Sequence, residues 1–225
     1  IIDEIGNIEE KLIQIRAERL RETTSIGIGT RFIESLNGAY QAKMIKGVGI
    51  CLPEMCEVIS EPCFEAGNLY GLLSSSGEGK TSLTVQQIYH ALINGHPVQL
   101  QSYDQSADQI IRQMVSQAYG IEARRQRSGD IREEEFTKAM ELAQWIDSSK
   151  LFEVIECNDE SAAQLAGYAR NFIKRRGNGK VPLIVTDHVG SVAPRSEDSR
   201  ADEGTKAKNT NKVFKSTAKA ENAVW

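Results

Sequence analysis

Lys80 and Thr81 close the stretch LLSSSGEGKTSL, residues 72–83, where an apolar run meets a turn rich in serine and glycine. A lysine and a hydroxyl residue at the end of such a turn can hold phosphate. Glycines at 77 and 79 let the backbone curl until successive N–H groups converge on one anion. A helix starting near Thr81 would add the positive end of its dipole. The run from Ser74 to Thr81 fits the pattern G-x-x-x-x-G-K-[ST] at every position but the first, where Ser stands for Gly. That position mainly needs a small side chain at the strand-to-loop corner, so the departure is mild. The residues assigned to the cradle are Ser75, Ser76, Gly77, Glu78, Gly79, Lys80, Thr81 and Ser82. Lys80 would bring a mobile charge to the outer phosphates, and the Thr81 hydroxyl is placed to bind Mg²⁺. The competing reading is a plain turn that happens to contain Lys-Thr. A strand before the turn and a helix after it separate the two.

A magnesium site needs an acid opposite Thr81, at the end of another buried strand. VPLIVTD, residues 181–187, supplies Asp187 at the C-terminal edge, where ligands gather in open α/β sheets. A third acid, Asp104, ends VQLQSYD, residues 98–104. A carboxylate there could orient or deprotonate an attacking water. It could equally begin the turn before the next helix.

These residues need a particular scaffold. Leu69 to Ser75, Val98 to Asp104, Leu151 to Cys157 and Val181 to Thr186 read as strands. Between them lie a helix from Thr81 to Asn94 closed by Gly95, one capped by Ser106 with Gln109, and one capped by Ser161 that reaches Arg176. Ile131, Phe136, Ala139, Met140, Ala143 and Ile146 mark the face of a further helix. The alternation predicts a mostly parallel α/β sheet covered on both sides. Ahead of it, Ile1, Ile5, Ile8, Leu12 and Ile15 form the seam of a short amphipathic helix that must dock on its own domain or a neighbouring subunit. A second helix is expected from Thr30 to about Lys46, then an irregular stretch over residues 47–67. Residues 194–211 hold almost nothing able to enter a core and read as a long exposed loop, followed by a last helix to about Trp225. An open sheet would be expected to continue past that point.

Composition narrows the class. The 225 residues are 40% hydrophobic and 26% charged, ordinary for a globular protein with one large domain or one domain and an appendage. No apolar run approaches the roughly 20 residues needed to span a bilayer. The expected setting is the cytoplasm, with Cys51, Cys56, Cys63 and Cys157 reduced and inert. A net charge of −4 means that any nucleic-acid binding must come from local basic patches.

In the order and spacing of EAGNLYGLLSSSGEGKTSL, PVQLQSYDQSADQIIRQM, RSGDI and VPLIVTDHVGSV, residues 47–225 resemble the DnaB-family replicative DNA helicases, a branch of the RecA-like P-loop ATPases. Residues 1–46 resemble that family's linker region. The resemblance implies an ATP-dependent helicase motor working with ATP and Mg²⁺, in which Lys80 and Thr81 bind phosphate and metal and Asp187 is the second acid at the metal. Asp104 falls where the family has its catalytic glutamate. The resemblance further implies a homo-oligomer, a hexameric ring in the full-length protein, with single-stranded DNA, a primase and a helicase loader as partners. The loop from Ser196 to Lys206 falls near one that faces the central channel, which makes Arg200 and Lys206 the expected DNA contacts. The departures are Asp104, whose side chain is one C–C bond (about 1.5 Å) shorter than Glu, and His188-Val189-Gly190 where the family tends to have an aromatic residue and Leu-Gln. His188 inherits no role and reads as a pocket or core residue. The family's following strand, polar sensor and arginine finger would lie past Trp225. Two alternatives remain open: another RecA-like DNA-dependent ATPase, such as a recombinase or plasmid replication factor, and a nucleotide-dependent scaffold without turnover.

Overall fold

Three parallel strands, with helices on both faces, carry the functional end of the molecule. The computed structural model describes residues 29–30, 32–33, 36–37, 40, 46–59, 62–75, 77–194 and 201–225. The isoleucine seam of residues 1–15, Ser76 and Arg200 lie outside the described residues. Residues 29–30, 32–33, 36–37 and 40 are helical, within reach of the second expected helix. The stretch expected to be irregular is partly ordered. β1 (Gly47–Gly49) pairs antiparallel with β2 (Cys63–Glu65), and α1 (Pro53–Ile59) lies between them.

α2 (Lys80–Ile93) buries Val85, Ile88, Ala91 and Leu92, one helical stripe. It leads to β3 (Val98–Ser102), which sits between β4 (Phe152–Glu156) and β5 (Leu183–Asp187). Register pairs Val98 with Phe152 and Leu183, and Ser102 with Glu156 and Asp187. Between β3 and β4 come α3 (Ala107–Tyr119), the short α4 (Ala123–Ser128) and α5 (Glu133–Ser149). α6 (Ala162–Arg176) crosses back from β4 to β5. The helices begin where their caps dictate. In α3 the Ser106 hydroxyl accepts from the Gln109 N–H while the Gln109 side chain accepts from the Ser106 N–H, and Ser161 and Gln164 repeat this at α6.

The period of two along the sheet sorts its side chains into two cores. Val98, Leu100, Leu183 and Val185 face α2, α3 and α5, while Ile155 and Ile184 face α6 and the last helix, α7 (Glu203–Glu221). α7 begins inside the stretch expected to be loop. Asp202 caps it, accepting from the Thr205 N–H at 3.0 Å and the Thr205 hydroxyl at 2.8 Å. Its inward stripe is Thr210, Val213, Phe214, Thr217 and Ala218. Two threonines and an alanine in that stripe hide the apolar periodicity from the sequence.

α5 presents a different face from the one its apolar residues suggest. Glu135, Leu142 and Ile146 are buried, whereas Phe136 and Met140 are 54% and 43% exposed. The inward Glu135 lies between two guanidiniums, Arg125 at 2.8 Å and Arg132 at 3.0 Å, and accepts the Arg132 N–H at 2.8 Å. The Arg125 bonds, then those of Arg132, hold its carboxyl well below the usual carboxylate range. A carboxylate held in this way stabilises the folded chain at any pH above its unfolded value of about 4.3. That contribution drains away as pH falls from there toward the folded value. Glu135→Gln is therefore expected to lower the urea midpoint at pH 7, with the gap to wild type narrowing steadily below about pH 4. A gap independent of pH would remove the charge from the explanation.

The sheet extends past β5 through the last three residues. Val224 donates to Pro182 O at 2.9 Å and accepts from Ile184 N at 2.8 Å. On the other side Gly67 donates to Ala223 O, Trp225 donates to Asn68 O, and Tyr70 donates to Trp225 O at 2.8 Å. Residues 223–225 thus lie between β5 and the segment that enters the turn at 74–81. Among the described residues this pairing stops at Tyr70. The strand expected over Leu69 to Ser75 does not form, and Leu72 and Leu73 are 44% and 93% exposed.

Candidate nucleotide site

Parallel register delivers the acids. Ser102 and Asp187 are partners across β3 and β5, and the Tyr103 N–H donates to Asp187 O at 2.8 Å, carrying the pairing one residue further. Asp104 and His188 consequently sit side by side just past the strand ends. α2 starts at Lys80, so its first turn meets the same edge. Gly79 precedes it with φ 87°, and Gly77 has φ 81°, left-handed values that an L side chain adopts only under strain. These two positions allow the turn to fold tightly over the helix N-terminus.

The Thr81 hydroxyl donates to Asp187 Oδ2 at 3.0 Å, across 106 residues of sequence. Two hard oxygen donors in contact at a strand edge suit a small divalent cation such as Mg²⁺, which binds through one or two protein oxygens and the phosphates of its substrate. Lys80 Nζ donates to Ser74 O and Ser75 O, both at 2.7 Å, and lies 3.3 Å from Ser74 Oγ. The bonds that this ammonium makes to described residues run to neutral oxygens, so its charge is balanced by none of those partners. An incoming phosphate would exchange carbonyl contacts for charged ones, which are roughly twice as strong. The donor set fits a Mg²⁺–nucleotide.

The other expected residues fall as follows. Ser75, Gly77, Glu78 and Gly79 are exposed along the turn. Ser82 lies in the first turn of α2 and accepts the Gln117 side chain at its carbonyl, at 2.7 Å. Asp104 lies two residues past the end of β3, not on it, with its side chain 66% exposed. Its partner is His188, whose Nε2 is 3.8 Å from Asp104 Oδ2 and 3.2 Å from Ser191 Oγ. The half-exposed imidazole belongs to the site edge and not to the core. Lys206, expected in an exposed loop, is in the first turn of α7. There its ammonium bonds Glu203 Oε1 at 3.0 Å, because Asp202 caps a helix that begins earlier than the composition suggests. RSGDI forms the turn between α4 and α5, where Arg125 Nε donates to Asp130 O at 2.9 Å.

The thiols are inert for a physical reason. Burial pushes the Cys157 thiol up to about 12 and raises that of Cys51, so both stay protonated at neutral pH and are poor nucleophiles. No disulfide joins Cys51, Cys56 or Cys157. Among the described residues, no helix is long and apolar enough to cross a membrane.

A mostly parallel sheet with helices on both faces, a glycine turn over a helix N-terminus and an acid at the adjoining strand edge together define a RecA-like α/β domain. The sequence profile of the DnaB-like helicase C terminal domain matches residues 61–222, and the chain belongs to that family. No protein of curated function matches the sequence. Two solved structures share the fold. One is a DnaB-like replicative helicase described with its interactions with primase, at TM-score 0.71 and 16% identity over 96% of this chain and 55% of that one. The other is a structure of an isolated ATPase domain, at TM-score 0.72 and 18% identity over 91% of this chain and 68% of that one. The chain thus spans about half the length of the first.

Proposed function

We propose that this chain is the motor domain of a replicative DNA helicase, which hydrolyses ATP to move along single-stranded DNA and separate a duplex. The observation that carries this reading is the 3.0 Å contact between Thr81 and Asp187 beside the Lys80 turn, in a chain of the DnaB-like family. Lys80 would leave the carbonyls of Ser74 and Ser75 for the outer phosphates, which the turn formed by Ser75 to Ser82 surrounds. Thr81 and Asp187 would hold Mg²⁺, which supplies charge neutralisation on the phosphates when bound. Asp104 would orient a water against the terminal phosphorus and accept its proton as the new P–O bond forms and ADP leaves. Its exposure leaves room for that water.

The division of labour along the chain follows the same reading. Residues 47–225 form the ATPase domain and residues 1–46 link it to the rest of a cytoplasmic, ring-shaped hexamer. The isoleucine seam packs on a neighbouring subunit, and a primase and a loader act on the ring. DNA contacts come from the Ser196–Lys206 region. Of its two cations in the sequence, Lys206 is paired with Glu203, which leaves the DNA contact to Arg200. The region also carries Glu197, Asp198, Asp202 and Glu203, so binding must be short-range and directed at phosphates. Arg200→Ala is expected to weaken binding to two unrelated oligonucleotides by similar factors and to reduce the salt slope by about one unit. An effect confined to one sequence would place the DNA contact elsewhere. The helicase activity itself is tested by ATP-dependent opening of a forked duplex by the full chain. Opening is the expected result, and ATP hydrolysis without strand separation would favour another RecA-like ATPase.

A further inference from the structure

The central strand of a parallel sheet is normally a near-continuous apolar run. β3 instead reads VQLQS, and both Gln99 and Gln101 are fully buried on its α6 side. An unsatisfied buried amide costs about 1–3 kcal/mol, so their partners matter. Trp225 Nε1 donates to Thr186 Oγ1 at 3.0 Å, and Thr186 Oγ1 donates to Gln101 Oε1 at 2.9 Å. Gln101 Nε2 donates to Gln99 Oε1 at 3.1 Å and to Leu165 O at 3.0 Å. Gln99 Nε2 donates to Glu153 Oε1 at 2.8 Å and to Tyr168 O at 3.3 Å. Arg175 Nη2 anchors Glu153 from outside, at 2.8 Å and 3.1 Å.

This chain of bonds has a direction. The Glu153 carboxylate accepts from Gln99 Nε2, which turns Gln99 Oε1 toward Gln101 Nε2. That turns Gln101 Oε1 toward Thr186, so the Thr186 proton points at Gln101 and its lone pair is left for the indole of Trp225. Trp225 in turn holds Asn68 and Tyr70 through its backbone, on the segment that leads into the Lys80 turn, and its ring stacks on Phe214 at 4.3 Å. One hydroxyl, next to Asp187 in sequence, therefore joins β5 to the strand position beside the phosphate turn.

We propose that Gln101 is a positioning residue for Asp187: the chain Glu153–Gln99–Gln101–Thr186–Trp225 fixes β5 against the segment bearing the Lys80 turn, so that Asp187 meets Thr81. This inference rests on the nucleotide reading of the site. Outer partners of metal ligands typically change metal affinity or activity by about 10–100-fold when removed. Gln101→Leu and Thr186→Val are each expected to raise by about tenfold the Mg²⁺ concentration needed for half-maximal binding of a non-hydrolysable ATP analogue by the full chain. Turnover should fall in parallel. Thr186→Ser keeps the hydroxyl and should retain the wild-type midpoint. The double variant Gln101→Leu/Thr186→Val should be no worse than the poorer single one, because both cut the same chain. A purely structural role would lower thermal stability and leave the Mg²⁺ midpoint unmoved in all variants, which would overturn the proposal. If Gln101→Leu does not fold, the Thr186→Val and Thr186→Ser pair decides: equal midpoints reject it. Wild-type protein that binds no analogue at any Mg²⁺ concentration would reject the nucleotide reading itself, and this inference with it.

Discussion

Lys80→Ala is expected to abolish ATP hydrolysis and leave the fold intact. The ammonium rests on Ser74 O and Ser75 O in an exposed turn. The substitution therefore leaves no buried donor or acceptor unpaired, and it should shift stability by no more than about 0.5 kcal/mol. Its effect belongs to the substrate complex. Phosphate oxygens would lose their mobile positive partner as charge redistributes in the transition state, an electrostatic loss worth on the order of 10²–10³-fold in rate for a single donor. Hydrolysis and thermal melting measured on one preparation separate the two contributions. Unchanged turnover in a protein that melts like wild type would remove Lys80 from the site.

Asp104→Asn is expected to lose turnover and keep nucleotide affinity. Size and hydrogen-bonding reach are preserved, but the charge that orients water and accepts its proton is gone, which typically costs about 10²–10⁴-fold. Asp104 is mostly exposed and is one C–C bond shorter than a glutamate. Its one described ionic neighbour is His188, 3.8 Å away. Stability should change little, because the carboxylate is not holding the core together. Full turnover in Asp104→Asn would make it a turn residue and leave the base to be found elsewhere along the edge of β3.

Much of the site is legible in the sequence because it is written in local rules. Gly77, Gly79, Lys80 and Thr81 announce a phosphate turn, and an apolar run ending in Asp187 announces a strand edge. Ser106 with Gln109 and Ser161 with Gln164 set the starts of α3 and α6 as capping chemistry says they should. What escapes depends on partners distant in sequence. Leu69 to Ser75 has strand composition, but a strand is defined by its neighbours, and residues 223–225 reach only as far as Tyr70. The start of α7 is hidden because threonine serves in its buried stripe and because Asp202 looks like a loop residue until it caps. Phe136 and Met140 suggest the inward face of α5, yet the Arg125–Glu135–Arg132 cluster occupies that side. His188 is noticeable from its adjacency to Asp187. Its contact with Asp104 requires the register of β3 and β5.

ATP hydrolysis by the full chain, followed with and without a single-stranded oligonucleotide at fixed Mg²⁺, bears most directly on the proposed motor. Hydrolysis that depends on Mg²⁺ and rises several-fold with DNA is the expected result. Nucleotide binding with no turnover in either condition would contradict it, and would leave a chain that holds ATP as a scaffold.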